Sequence, residues 1–255
     1  FADPAEYKKA FERSRAPLQQ GESFHAEVCF KRRDSRIVWI SITTKALNPD
    51  LSSEGIILIG EDITEKRSDR ERIHFLAYHD VLTELPNRML LTDRLQQALL
   101  AAGRLRKKVA VLFIDLDRFK QINDTLGHEI GDQLIRQVST RIRTCVHESD
   151  TVARFGGDEF VVILPGIHQL DDVKIVTDKI LTALKQLFTL GEHLIETTAS
   201  IGISLYADHG TDIDTLLKHA DTAMYHAKEL GGDTATFFDT SLSITKYRPP
   251  ATKKQ

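Results

Sequence analysis

Residues Val152–Leu164 read "VARFGGDEFVVIL". Two short apolar runs flank a pair of glycines, and each run has the composition of a β-strand. Gly156 and Gly157 take positive φ without steric cost, so the stretch predicts a tight hairpin. The turn also carries Asp158 and Glu159 side by side. Adjacent carboxylates repel each other and add no packing, so a positive partner is expected against them.

Around this hairpin the chain alternates strand and helix in the α/β manner. "KKVAVLFIDLD" reads as a buried strand, and "GDQLIRQVSTRIRTCV" as an amphipathic helix with Leu134, Ile135, Val138 and Ile142 on one face. After the hairpin come a helix in "DDVKIVTDKILTALKQL", a strand in "IETTASIGISLY", a helix in "DIDTLLKHADTAMYHAKEL" and a last short strand in "TATFF". The N-terminal region differs. Residues 4–16 predict a helix with Tyr7, Ala10 and Phe11 on one face, stopped by Pro17 and Gly21. Three strands follow in "SFHAEVCF", "IVWISITT" and "EGIILIGEDIT", a small antiparallel sheet that is marginal alone. Residues 64–78 are strongly charged with a partial apolar stripe, and a solvated connecting helix and a dimer-forming coiled coil weigh about equally there. The expected division is 1–63, a sensor-like portion; 64–78, a linking helix; 79–240, the α/β domain; and 241–255, a disordered tail.

With 34 Lys and Arg against 37 Asp and Glu, the net charge is −3 and the cations are dispersed. No basic footprint for a nucleic-acid polymer is present. Cys29 and Cys145 are far apart in apolar-patterned segments and read as buried thiols of a cytoplasmic protein. The apolar runs are too short to cross a bilayer, so no membrane contact is expected of this stretch. The chain starts with Phe1 and is expected to be a fragment, whose full-length parent has room upstream for a membrane anchor.

A second acidic feature lies in "FIDLDRFKQIND". Asp115 follows an apolar run and so emerges where a buried strand reaches the sheet's rim. Taken alone, "DLD" is most simply a strand-end turn. Together with the carboxylates of the hairpin it supplies the hard oxygen donors of a Mg²⁺ site that leaves room for substrate phosphates.

The segments "YHDVLTELPNR", "DLDRFKQINDTLGHEIGD", "ARFGGDEF", "TTASIGIS" and "ADTAMYHAKELGG" occur in the order and spacing of the GGDEF family, and over residues 77–238 the chain resembles a diguanylate cyclase. The segment ending "EDITEKR" resembles the C-terminal part of a PAS domain. The resemblance implies an α/β (α+β) fold, a central mixed sheet flanked by helices, similar to the nucleotidyl cyclase and polymerase-palm fold. It implies condensation of two GTP into cyclic di-GMP with release of two pyrophosphates, across a homodimer whose subunits each present one GTP. Two Mg²⁺ per active site, replaceable by Mn²⁺, are implied on Asp115, the Leu116 carbonyl, Asp158 and Glu159, with Asp158 and Glu159 catalytic. GTP contacts are implied at Asn123 and Asp132 for the guanine, at Phe119, Lys120 and Lys228 for the phosphates, and at His128 beside the nucleotide. Without the family frame, Asp132 reads as a helix cap and Lys228 as a solvated charge.

Three positions depart from the family pattern. Gly232 stands where arginine is common, Glu84 where glycine is common, and His147 in the arginine position of the Arg-x-x-Asp product-inhibition site that keeps Asp150. An active cyclase under a sensor is the leading expectation. The alternative is a catalytically silent module that binds GTP or cyclic di-GMP and regulates a partner or a downstream phosphodiesterase domain.

Overall fold

A computed structural model describes residues 4–48 and 55–241, in two compact units divided at Phe75/Leu76. The first unit holds α1 (Pro4–Gln19) and an antiparallel sheet of β1 (Phe24–Lys31), β2 (Ile37–Ala46) and β3 (Ile56–Asp62), in that order. Helix α1 continues through Pro17 rather than stopping there. A proline in the last turn forfeits only one backbone bond. The Pro17 carbonyl accepts from Gln20 and Glu22, and the chain leaves the helix at Gly21 with φ +75°. The side chain of Tyr7, and the tail beyond Ser241, lie outside the described residues. All of β3 is exposed, Ile56 to Ile59 by half or more. A cavity of about 820 Å³ between α1 and the sheet is lined by apolar residues including Phe24, Val28, Ile42 and Leu58. The Thr44 hydroxyl, also in that lining, is buried without a hydrogen-bond partner.

Helix α2 (Thr64–Tyr78) carries the division between units and exposes Ile73 and Leu76. The second unit contains α3 (Arg88–Leu105), β4 (Lys108–Leu116), α4 (Phe119–Leu126), α5 (His128–Cys145), β5 (Thr151–Gly156) and β6 (Glu159–Ile167). Then follow α6 (Leu170–Lys185), the hairpin β7 (Phe188–Leu190) and β8 (His193–Ile195), β9 (Ala199–Tyr206), α7 (Ile213–Glu229) and β10 (Thr234–Phe237). Helices α3 and α4 and the β7–β8 hairpin are additions to the sequence reading. Asn87 starts α3 by accepting from the backbone N–H of Met89 and Leu90 at 2.9 and 3.2 Å, an N-cap written in "PNR".

The main sheet runs β10-β9-β4-β6-β5, with β4 antiparallel to both neighbours and β10 parallel to β9. This is the mixed sheet expected of the fold. Strand β4 is buried on both faces. Ala110, Leu112, Ile114 and Leu116 pack with Leu134, Ile135, Val138 and Ile142 of α5 and with Val173 and Ile180 of α6. Val109, Val111 and Phe113 pack with Leu91 and Leu95 of α3 and Leu216 and Ala220 of α7. Period-two alternation into two helical layers explains why "VAVLFI" is apolar throughout. Gly202 lets α7 approach β9 closely, since a Cβ there would lie 1.9 Å from the Ala220 carbonyl oxygen. Cys29 and Cys145 are free and only half-buried, a correction to the buried thiols expected.

Candidate active site

Strand β4 ends in Asp115 and Leu116, and Asp115 lies opposite Glu159 on one side and Ser200 on the other. Asp115 is 7% exposed. Burial, with repulsion from Asp158 and Asp117, pushes its carboxyl up to about 6 although Lys228 opposes the shift. Its buried Oδ1 meets Lys228 Nζ as an ion pair at 2.5 Å. Burial and then the charges of Asp115, Asp221 and Asp158 push Glu159 up to about 7. Burial also raises Asp158 and Asp221. Four carboxylates that burial holds above their ordinary range therefore share one ammonium.

The hairpin turn is held from behind. Gly157 takes φ +55°, whereas Gly156 stays out of the left-handed region, so only one of the two glycines uses the freedom expected of both. Arg154 donates from Nε and Nη2 to the Gly157 carbonyl at 3.0 and 2.7 Å, and from Nη1 to both Asp80 oxygens at 2.9 and 3.1 Å. Burial opposes ionisation of Asp80, yet hydrogen bonds from Thr83 and Arg154 hold its carboxyl below the usual range. The positive partners visible against the turn are thus Arg154 and Lys228.

Two residues past Asp115, Asp117 accepts from Thr198 Oγ1 at 2.6 Å, Ser200 Oγ at 2.7 Å and the Asp233 N–H at 3.0 Å. Its own N–H donates to the Thr198 carbonyl at 2.9 Å. Gly232, φ +78°, passes so close that a Cβ would lie 2.7 Å from Asp117 Oδ2. An arginine at 232 would meet both obstacles in this structure.

The nucleotide residues named from the resemblance fall on α4, α5 and α7. Phe119 and Lys120 open α4, and the N–H groups of Gln121 and Ile122 donate to the Arg118 carbonyl at 2.9 and 3.3 Å. Phe119 packs on the core, while Lys120 and His128 are exposed. Asn123 is half-buried, with Oδ1 sealed from solvent and unpartnered. Asp132 is exposed and a full turn inside α5, whose N-cap is Gly127, so the helix-cap reading of Asp132 fails. Lys228 is paired with Asp115 and is not a free solvated charge. Asp150 accepts from the backbone N–H of His147 at 2.8 Å, which ties its carboxylate into its own turn.

Sequence reasoning missed Asp80, Asp117, Arg154 and Asp221. The signal for Asp221 was its place seven residues before Lys228, on the same helix face. Asp80 and Arg154 lie inside quoted motifs, but their pairing spans 74 positions and no local pattern announces it.

Among the described residues no three His, Cys, Asp or Glu side chains form a ready cage for a metal ion. A hard divalent cation that keeps waters and draws oxygens from substrate phosphates needs only one or two carboxylates. The buried carboxylate of Asp115, with Glu159 opposite it and several like charges around a single ammonium, fits that chemistry.

Residues 77–234 match the family described as diguanylate cyclase, GGDEF domain. The chain belongs to this family. It is 45% identical over 177 residues to the bifunctional diguanylate cyclase/cyclic di-GMP phosphodiesterase MucR of Pseudomonas aeruginosa, covering 69% of this chain and 26% of that protein. It is 43% identical over 176 residues to the cyclic di-GMP phosphodiesterase PdeR of Escherichia coli, covering 69% and 26%. The chain spans about a quarter of the length of these curated relatives. Among solved structures, the GGDEF domain of TpbB (YfiN) from Pseudomonas aeruginosa superposes with TM-score 0.63 at 41% identity, covering 65% of this chain and 96% of that one. The coiled coil and GGDEF domain of DgcB from Caulobacter crescentus, in complex with c-di-GMP, gives 0.62 at 27%, covering 69% and 93%.

Proposed function

We propose that the chain condenses two GTP into cyclic di-GMP and two pyrophosphates, each subunit of a homodimer presenting one GTP. The observation that carries this reading is the cluster of buried Asp115 at the end of β4 with half-buried Asp158 and Glu159 of the facing hairpin, three carboxylates that burial raises and that have Lys228 as their shared ammonium. Asp115, the Leu116 carbonyl, Asp158 and Glu159 would hold two Mg²⁺, which when bound offset phosphate charge and acidify the attacking 3′-hydroxyl. Asp158 and Glu159 would take up the proton that leaves that hydroxyl; burial raises the proton affinity of both, that of Glu159 to about 7. The bond formed joins the 3′-oxygen to the α-phosphorus of the other GTP, and pyrophosphate leaves. Lys228 and the first turn of α4 at Phe119 and Lys120 meet the phosphates, His128 lies beside the nucleotide, and Asn123 with Asp132 reads the guanine.

The exposed Ile73 and Leu76 of α2 are the proposed dimer contacts. We assign residues 1–63 to a PAS-like sensor portion, with the apolar cavity of the first unit as its ligand space, residues 64–78 to the linking helix and 79–240 to the cyclase domain. With His147 in the arginine position and Asp150 engaged by its own turn, product inhibition through that site is weak. A relative named for phosphodiesterase activity alone, PdeR, keeps the silent-module reading in play as the second outcome of one test. Purified chain is incubated with GTP and Mg²⁺ and the nucleotide product identified by mass. Cyclic di-GMP, formed with specific activity that rises through the dimerisation range, supports the cyclase. GTP bound but unchanged supports the silent module.

A further inference from the structure

The oxygen of the Asn123 amide is buried and unpartnered, an arrangement that folded proteins rarely keep without use. What lies against it is Gly131, on the next helix and itself buried. A Cβ on residue 131 would lie 1.8 Å from Asn123 Oδ1, 2.9 Å from its Cγ and 3.3 Å from Phe119 Cζ. The glycine is not required by its own backbone, because Gly131 sits within α5 and is absent from the positive-φ positions. An alanine there would favour the helix by its intrinsic propensity. The space, rather than the conformation, is what this position supplies.

We propose that Gly131 is a specificity-determining positioning residue: by leaving room for the Asn123 oxygen, it turns the amide nitrogen outward as a donor. The proposal rests on the reading of Asn123 as a guanine contact and explains how that contact is aimed. A donor facing outward complements the O6 acceptor of guanine, whereas adenine presents an amino donor at the same place. Asn123 with its amide rotated by a methyl group at residue 131 loses that complementarity. Phe119, whose ring would also be crowded at 3.3 Å, stands at the start of α4 and carries any displacement toward the proposed phosphate end of the pocket.

The test is a double-mutant cycle of Gly131→Ala and Asn123→Ala, read as the GTP-over-ATP ratio of kcat/KM, with kcat, KM and thermal midpoint recorded for each variant. Gly131→Ala is expected to lower the ratio by about 10- to 100-fold, the size of one lost buried hydrogen-bonding contact. The loss falls mainly in KM for GTP. In the Asn123→Ala background the same substitution changes the ratio less than about twofold, because the clash is gone. If Gly131→Ala unfolds while the double variant folds with the ratio of Asn123→Ala alone, the steric coupling is supported by the rescue. An unchanged ratio in Gly131→Ala overturns the proposal, as does a full effect that persists without the Asn123 side chain. A wild-type chain with no preference for GTP instead overturns the guanine reading on which the proposal stands.

Discussion

Asp115 and Asp117 stand two residues apart at the end of one strand, and their surroundings are opposite. Asp117 is surrounded by donors, and its three side-chain hydrogen bonds join the exit of β4 to the start of β9 and to the loop between α7 and β10. Asp115 has one ammonium, Lys228 against its Oδ1, and neighbours of its own charge. One ammonium against several neighbouring carboxylates leaves the group short of positive charge, so Asp115 is disposed toward a cation that the folded chain alone does not supply. The rim divides its labour, with one aspartate fixing the backbone and the other grouped with Glu159 and Asp158.

Activity separates the two regions most strongly. Asp158→Ala and Glu159→Ala should each lower cyclic di-GMP formation about 1000-fold or more, since they remove charge from the reacting centre. Asp158→Ala should unfold within about 1 kcal/mol of the wild type, because a turn residue adds little packing. Turnover by product mass and unfolding by urea titration check the pair. Near-normal turnover in folded variants would remove these residues from the active site.

Asp117→Ala should behave the other way round in stability. It leaves Thr198 Oγ1, Ser200 Oγ and the Asp233 N–H without their acceptor. Charge-assisted hydrogen bonds contribute about 1.5–3 kcal/mol each and are not additive, so a loss of roughly 3 kcal/mol is expected in the urea midpoint. A variant as stable as the wild type would show that β9 and the α7–β10 loop are held by other contacts.

The carboxylate group also has a stability signature with a definite sign. Glu159 has its carboxyl raised to about 7 in the fold, from 4.5 when unconstrained. Below about pH 4.5 both states hold the proton and the group contributes nothing. As pH rises to about 7, the unfolded chain sheds its proton first, and stability falls. Glu159→Gln should therefore stabilise the metal-free protein by about 1–3 kcal/mol at pH 8, after allowance for partial exposure. The gain should shrink to near zero at pH 4.5 while activity is lost at every pH. Urea unfolding in chelator at the two pH values measures it, and an equal gain at both would show that charge is not the cause.

The division of labour at the rim also explains what the sequence made legible. The strand β4, the hairpin and the apolar face of α5 follow from local periodicity, and Asp115 and the "GGDE" turn are recognisable as acidic sites because polar residues interrupt apolar runs there. The holding residues are not recognisable in that way. Asp117 draws its donors from residues 80 or more positions away, and Arg154 finds Asp80 across 74. Helix α3 escaped notice because its N-cap and its buried stripe of Leu91, Leu95 and Leu99 follow a motif that drew attention to its polar residues. Pro17 was read by its intrinsic cost, which the last turn of α1 tolerates.

The smallest expected effect concerns Glu84, another holding position. It lies in the turn behind Asp80, donates its N–H to the Asp80 carbonyl at 2.8 Å, and takes φ +58°. A side chain in the left-handed region costs about 1–2 kcal/mol, which is the physical reason glycine is suited to this place. Glycine also makes the unfolded chain more mobile, at a cost of roughly 0.5–1 kcal/mol. Glu84→Gly should thus stabilise the second unit by a few tenths to about 1 kcal/mol. Its side chain is exposed, so no packing is forfeited. Because the turn sits behind the Asp80–Arg154 pair rather than at the carboxylates, kcat should stay within about twofold, a shift of less than ~0.5 kcal/mol in the barrier. Equilibrium unfolding of Glu84→Gly beside Glu84→Ala decides the matter. Glycine should be the more stable of the two, since alanine keeps the strain and glycine relieves it. A more stable alanine variant would mean that chain entropy outweighs the left-handed strain at this turn.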